Sequence, residues 1–511
     1  MGTVPNCSFF YICRKLQPMV RKTTLITFAF LLITSYALAQ PVEVTMAGPT
    51  KTINTREFAK TPRYESAPQI SARSSMRVAA PAPDNIRWID RINNLPDYMH
   101  TYYDKHCQMV QDVLNGDTNY LVDYTLGTTK VEELWENRHM VLMKEYSKKI
   151  DYTFPEDYLG NNAALERPYA EEAVSVELQN LGDEVDAFIP YMFMSMDYDN
   201  PQAFWLGNSY RYCYAWSYRW NNQSTRGKDY VQLTFRIYFV IKDTEPEDEF
   251  DNRIYPFDTP DAIKAGVTEY YNAINEIFKD LPYSATRYDT VRYLNKWLTT
   301  HNAYCSNYNP DTSPSIVWSP MSALRGTNGP TGPVCEGYSR AFKILCNGLN
   351  IPCVLVVGHN ARSSRYSSGE SHMWNEVKMD DGQWYAVDVT WNDPKVAGSS
   401  PNPVISGRET EKWLLLGKND IINNNENLTF AESHPNAVTF GMGFQDKWDY
   451  SAESFIADEH FDPTLNSTPQ IRQDQSVTVY SILGIKLGTF NTLPELQPGI
   501  YLINGRKTVV K

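Results

Sequence analysis

The sequence predicts an α+β protein in which helices and antiparallel strand pairs occur in separate runs, and three observations carry that expectation. First, the stretch from Pro333 to Pro394 joins a helix to a hairpin. Tyr338, Ala341, Phe342 and Leu345 recur at helical spacing as far as Asn347-Gly348, and Asp381-Gly382 later forms a turn between two short strands. Second, every even residue from Tyr210 to Trp220 is aromatic and every odd residue from Val231 to Ile241 is apolar, the period of two that half-buried strands require. Third, two amphipathic helices precede Pro333. One has Ile263, Val267, Tyr270, Tyr271, Ile274, Ile277 and Phe278 on its apolar face, and the other Val291, Leu294, Trp297 and Leu298.

In chain order, the first feature is a targeting segment. Met19 opens a short basic stretch with Arg21 and Lys22, an apolar run follows from Leu25 to Ile33, and Ala37-Leu38-Ala39 precedes Gln40. This is the pattern of a secretory signal peptide over 19–39 cleaved after Ala39, with Met19 a candidate initiator. The run is too short for a membrane span, so the mature chain is expected without one, either secreted or at the cell surface or periplasm. Residues 40–85 are rich in Pro, Ser, Thr and Ala and are expected to form a disordered linker. An N-terminal α+β domain is expected over 86–282, opening with a helix that carries Tyr98 to Leu114 and stops at Asn115-Gly116. The aromatic stripe at Tyr210 to Trp220 serves either as packing or as a stacking platform. Thr259-Pro260 caps the next helix, and Leu281-Pro282 ends it.

A catalytic domain is expected over 283–445. A linker over 446–475 and a small β tail over 476–511 follow, the tail reading as three short strands with an Asn504-Gly505 hairpin. The formal net charge of −13, with no basic block, argues against a nucleic-acid partner. Cysteine is sparse for an exported chain of this length, so the fold does not depend on a disulfide framework. Cys346 and Cys353 read as core residues. No metal-ligand spacing and no phosphate loop occurs, so neither a metal nor a cofactor is expected.

The chemistry concentrates in three residues. Cys335 follows Gly332-Pro333-Val334, which cannot be helical, and so stands at a helix start. There the unpaired N–H groups and the positive end of the dipole favour thiolate over thiol, and they offer a donor to an oxyanion. His372 opens one strand of the Asp381-Gly382 hairpin and Asp388 closes the other, at positions that make them near neighbours on paired strands. A nucleophile, a base and an acid that orients the base are the components of acyl transfer.

Three segments carrying these residues, C-x-G-Y at Cys335, H-x-W-N at His372 and W-Y-x-V-D-x-T-W around Asp388, resemble the transglutaminase-like superfamily over roughly 283–443. The resemblance implies a papain-like transglutaminase domain, its nucleophile helix packed on an antiparallel sheet, preceded by a mixed N-terminal domain and followed by the β tail. It also implies a catalytic triad of Cys335, His372 and Asp388. A histidine often recurs in the family near His434, which is read here as structural, and Tyr304 is a weak candidate for a further oxyanion donor. The tail resembles the C-terminal sorting domains of proteins exported by the type IX system of Bacteroidetes, although it is shorter.

The implied function is that of an exported cysteine-nucleophile acyl-transfer enzyme. Bacterial members of the superfamily resemble proteases, so hydrolysis of a peptide or carboxamide bond through a thioester is expected, on a protein or peptide substrate, cell-wall peptide included. Two alternatives stay open: a protein-glutamine transamidase using the same triad, and a non-catalytic surface-binding protein that retains the fold.

Overall fold

The computed structural model describes residues 42–47, 51–54, 86–116, 131–132, 138–152, 163–206, 209–221, 230–243, 257, 260–282, 285–305, 315–326, 332–360, 370–393, 409–435, 456–464, 477–481, 486–490, 499–503 and 506–510. In chain order the first part contains β1 (Val42–Ala47), β2 (Lys51–Asn54), α1 (Asp97–Leu114), β3 (Val131–Glu132), β4 (Arg138–Asp151), α2 (Ala163–Asp199), β5 (Ser209–Asn221) and β6 (Tyr230–Asp243). Their strands run in the order β1-β5-β6-β4-β3, with β2 also paired to β5. Helices α3 (Pro260–Lys279), α4 (Arg287–His301) and α5 (Pro320–Leu324) lead to α6 (Cys335–Gly348).

Next come β7 (Cys353–Asn360), β8 (Glu370–Lys378), β9 (Trp384–Val387), α7 (Val389–Asn392) and β10 (Leu414–Leu416), whose strands form a sheet in the order β10-β9-β8-β7. The hairpin β11 (Ile421–Asn423) and β12 (Leu428–Thr429) leads into α8 (Phe430–Ser433). The tail holds β13 (Val477–Ser481), β14 (Lys486–Phe490), β15 (Gly499–Ile503) and β16 (Arg506–Val510).

The described residues fall into two compact units. The smaller takes 42–46, 146–152, 163–180, 216–221 and 230–235. In it Lys148 pairs with Glu177 at 2.6 Å and the Tyr218 hydroxyl donates to Glu171 at 3.2 Å, over buried Val174, Val231, Leu233 and Phe235. The larger unit takes the remaining described residues and contains all three predicted site residues.

Several expectations are corrected. Residues 40–85 are not a linker throughout, because β1 and β2 lie within them and β2 pairs antiparallel with β5, Ile53 opposite Tyr210. The apolar alternation Val42, Val44, Met46 is itself a strand signal, short enough to be lost among the Pro- and Ser-rich residues after it. Residues 446–475 are not a free linker either. Ile456 and Phe461 are buried, Ala457 donates to the Trp384 carbonyl and Phe461 to that of Leu415, so 456–464 is fastened to β9 and β10. Gly417 permits this approach, since a Cβ there would stand 2.4 Å from the backbone of Glu459. The tail has four strands, in the order β14-β13-β15-β16, where three were expected. The signal segment 19–39 lies outside the described residues.

Helix α2 has no counterpart in the sequence reading. From Ile189 to Asp197 every residue is buried, so no amphipathic stripe marks it, and Pro190 interrupts its pattern. By contrast α1, α3 and α4 fall where their apolar periods put them. Thr286 caps α4 through a reciprocal capping box with Asp289. The aromatic stripe of β5 is packing at Tyr210, Tyr212, Tyr214 and Tyr218, all buried. Phe193 stacks on Tyr210 at 4.9 Å.

The end of α2 anchors the nucleophile helix. Glu336, Arg340 and Lys343 lie on one face of α6 at helical spacing, and all three are buried. Arg340 Nη2 meets Asp197 Oδ2 at 2.7 Å and its Nε meets Glu336 Oε1 at 2.9 Å, while Lys343 Nζ donates to the Tyr198 carbonyl at 2.8 Å. Asp199 accepts from the backbone of Trp88 and Ile89 and from the Tyr103 hydroxyl. Burial pushes the Asp199 carboxyl up and the Lys343 amine down in pKa, each opposed by the charge of the other at 4.0 Å. Trp88 also donates its ring N–H to the Leu355 carbonyl on β7. Residues before 282 are therefore built into the support of α6, and 282 does not separate two independent bodies.

Candidate active site

Cys335 is the first residue of α6. Its preceding residue Val334 is extended and gives no side-chain cap, which leaves the first N–H groups of the helix without intrahelical acceptors. The turn before it is pinned on both sides, because Val334 donates to the Val317 carbonyl and Cys305 to that of Pro333, each at 3.1 Å. Gly337 lets the helix start sit this deep. A Cβ there would lie 2.7 Å from the Val317 carbonyl oxygen and 2.8 Å from Ser322 Oγ. Cys335 itself is half-buried, and so accessible to a substrate.

Two bonds tie α6 to the strand that carries His372. Ser339 Oγ donates to the Met373 carbonyl at 2.9 Å, and Asn375 Nδ2 donates to the Ser339 carbonyl at 3.0 Å. Strand β8 pairs with β7, Gly358 opposite His372, and with β9, Asn375 opposite Val387. Strand β9 ends at that pair, because the next residue, Asp388, turns the chain into α7 and caps it by accepting from the Trp391 N–H at 3.0 Å. The hairpin turn is the expected one: Gly382 has φ +83°, and Met379 donates to the Gln383 carbonyl.

The three predicted residues come together. His372 Nε2 lies 2.7 Å from Asp388 Oδ2, with both side chains buried. The carboxylate thus occupies one ring nitrogen and leaves Nδ1 available to Cys335, which is near enough to the ring to act on it electrostatically. Burial alone would oppose an imidazolium here. The charge and hydrogen bond of Asp388, joined by those of Cys335, overcome it and raise the His372 pKa to about 10. Burial likewise opposes the Asp388 anion, yet His372 and then His434 hold its pKa well below the usual carboxylate range. Both shifts favour a protonated ring on His372 beside an ionised Asp388.

Two tryptophans surround this centre: Trp391 lies over His372 at 5.7 Å and 30°, and Trp374 at 6.1 Å. Trp384, at the far end of β9 from Asp388, forms a parallel backbone bridge with Ile456. Behind the helix Tyr338 donates its hydroxyl to Asp393, and Asn392 reaches Asn295 on α4 at 3.0 Å.

His434, read from sequence as structural, also lies in the centre. Its Nε2 is 3.2 Å from the same Asp388 Oδ2, from a position 46 residues further along the chain. No period or turn signal predicts that approach. Among the described residues His372, Asp388 and His434 are also the one group whose ligand atoms lie close enough, within 4.8 Å, to hold a metal. The carboxylate oxygen already accepts from both rings, so a cation would have to displace two hydrogen bonds in a fully buried place, and the set reads as a hydrogen-bonded chain. Tyr304 is half-buried beside Tyr338, on which its charge acts.

A thiol at a helix start, facing an imidazole held by a buried carboxylate on an antiparallel sheet, defines a papain-like thiol centre in an α+β fold. Residues 279–389 match the family model of the transglutaminase-like superfamily, so this segment, which contains Cys335, His372 and Asp388, is a transglutaminase-like domain. No curated protein matches the chain. A solved structure described as the crystal structure of a TGase is similar at 19% identity with a TM-score of 0.22, over 35% of this chain and 46% of its own. This chain therefore spans under half the length of that relative.

Proposed function

We propose that the protein is an exported acyl-transfer enzyme that cleaves peptide or carboxamide bonds through a thioester on Cys335, with water as the usual acceptor. The observation that carries this reading is the 2.7 Å contact between His372 and Asp388, which turns the other ring nitrogen toward a thiol at a helix start. The thiolate sulfur attacks the carbonyl carbon and the C=O electron pair moves to oxygen, where helix N–H groups stabilise it. The tetrahedral species collapses, the C–N bond breaks, and His372 gives its proton to the leaving amine. In the second half-reaction His372 takes a proton from water, hydroxide adds to the thioester, and the C–S bond breaks to release the acid and the thiolate.

Asp388 stays ionised throughout and keeps the ring oriented. The substrate is a protein or peptide, cell-wall peptide included, whose amide carbonyl the thiolate attacks and whose amine leaves. Export rests on the Arg21-Lys22, apolar run and Ala37-Leu38-Ala39 series, and sequencing of protein from outside the cell should begin at Gln40. The activity is tested by profiling against glutamine-containing and cell-wall peptides, with and without a primary amine. Hydrolysis that amine leaves unaffected supports the reading. Amine incorporation exceeding hydrolysis overturns it in favour of a transamidase, and no turnover together with unselective thiol labelling overturns it in favour of a binding protein.

A further inference from the structure

The carboxylate of Asp388 is shared. Oδ1 accepts from the Trp391 N–H, whereas Oδ2 accepts from His372 at 2.7 Å and from His434 at 3.2 Å. His434 is held in place by its chain: α8 is fixed by a capping box between Thr429 and Glu432, and the His434 N–H returns to the Phe430 carbonyl at 2.8 Å. Its ring is fully buried and boxed by aromatic rings. Phe430 stacks on it at 4.4 Å and 14°, Trp391 and Trp374 meet it edge-on at 4.7 and 5.0 Å, and Trp413 lies at 5.6 Å.

Within that box Nδ1 has no hydrogen-bond partner, and burial lowers the pKa of the ring. A second proton on Nδ1 would be buried with no acceptor, so the ring is neutral. Because Nε2 faces a carboxylate oxygen, the single proton sits on Nε2 and is donated.

We propose that His434 is a positioning residue for the triad, a neutral donor that divides Asp388 Oδ2 and so moderates how tightly the carboxylate holds the proton of His372. The aromatic box keeps it neutral. A cation at this place would cancel much of the field that Asp388 exerts on His372, whereas a neutral donor fixes the carboxylate and leaves its charge in force. The titratable groups facing one another here are Cys335 from α6, His372 from β8, Asp388 from the β9–α7 junction and His434 from the end of α8. His434 feels Asp388 and His372, Asp388 feels His372 and His434, and His372 feels Asp388 and Cys335.

The direction of the effect follows from where the shared bond is strongest. A hydrogen bond to Asp388 is worth more when the carboxylate is not already neutralised by imidazolium, so His434 favours the deprotonated form of His372. Removing the donor therefore raises the pKa of His372. The proposal rests on the acyl-transfer reading, and its test is chosen to stand without a natural substrate.

The test compares His434→Phe, which keeps an aromatic ring against Phe430 but donates nothing, with His434→Gln, which keeps an amide donor. Cys335 is alkylated across pH with iodoacetate and with iodoacetamide. The anionic reagent is favoured only while His372 carries its proton, so the ratio of the two rates falls at the pKa of the imidazolium. His434→Phe should move that midpoint upward by about half a pH unit or more, and His434→Gln should bring it back toward the parent value. With a turned-over ester or peptide, His434→Phe should lower kcat about tenfold and leave KM within about twofold, as expected of a group that acts through another.

An unchanged or lowered midpoint in His434→Phe, or His434→Gln behaving as His434→Phe does, overturns the proposal. If His434→Phe does not fold, His434→Leu replaces it with the same expected and overturning results. Absence of turnover on every substrate would count against the proposed function, while the alkylation midpoints would still decide the role of His434.

Discussion

Replacing Arg340 by methionine should destabilise the larger unit severely, by an amount the structure lets one work out. The guanidinium is buried, bonded at 2.7 Å to Asp197 and at 2.9 Å to Glu336, and the two carboxylates are each only 6% exposed. Burial works against its charge, and the two carboxylates are what keep it charged. Removing one member of a buried ion pair costs about 3–5 kcal/mol, and here two buried carboxylates lose the guanidinium together. That is a large share of the roughly 5–15 kcal/mol that holds a typical domain together.

The assay is denaturant unfolding followed by tryptophan fluorescence, with Arg340→Met compared with the triple substitution Arg340→Met, Asp197→Asn, Glu336→Gln. The single change should lower the unfolding free energy by about 3 kcal/mol or more, and the triple should recover much of it, because neutral groups of similar shape need no counter-charge. A loss below about 1 kcal/mol for the single change would mean that the pair behaves as a solvated surface pair, and the reasoning about how α2 anchors the nucleophile helix would fail.

Other outcomes follow from the same geometry. Gly337→Ala should destabilise by about 1–3 kcal/mol and depress labelling of Cys335, since the new methyl meets a backbone carbonyl at 2.7 Å; parent-like stability in thermal unfolding would contradict the close packing at the helix start. Asp388→Ala should keep the fold by circular dichroism, lower turnover by a large factor and still permit alkylation of Cys335, whereas Asp388→Asn should partly hold the ring; full activity in Asp388→Ala would reduce the carboxylate to a structural role. His372 gives a pH signature: its pKa is raised from 6.5 in the unfolded chain to about 10 in the folded one, so its contribution to stability is complete below 6.5 and is lost as pH rises to about 10. His372→Gln should flatten that decline, and an equally steep decline in the variant would assign it to other groups.

Much of the site was legible because its signals are local. A Gly-Pro before Cys335 and an Asn-Gly after the apolar run define both ends of α6, and Asp381-Gly382 fixes the hairpin that brings His372 and Asp388 together. What escaped is what depends on distant residues or on uniform burial. Arg340 and Lys343 look like the solvated face of an amphipathic helix, and only the end of α2 explains why they are buried. That end is itself buried all round, so no period announces it. His434 lies beyond the hairpin and three short strands, and its approach to Asp388 depends on where α8 stops. Residues 456–464 carry just two buried apolar side chains, too few for a pattern, yet they bond to β9 and β10 by backbone groups that any sequence offers.

The central claim is that Cys335 is a nucleophile activated by His372, and an activated ester tests it most directly without any knowledge of the natural substrate. Mixing the protein with p-nitrophenyl acetate should give a burst of about one nitrophenolate per chain, with the acetyl group found by mass spectrometry on the peptide that carries Cys335. His372→Ala should slow that burst strongly, and Cys335→Ala should abolish it. An undiminished burst in Cys335→Ala, or acetyl spread evenly over Cys107, Cys335 and Cys346, would contradict the account.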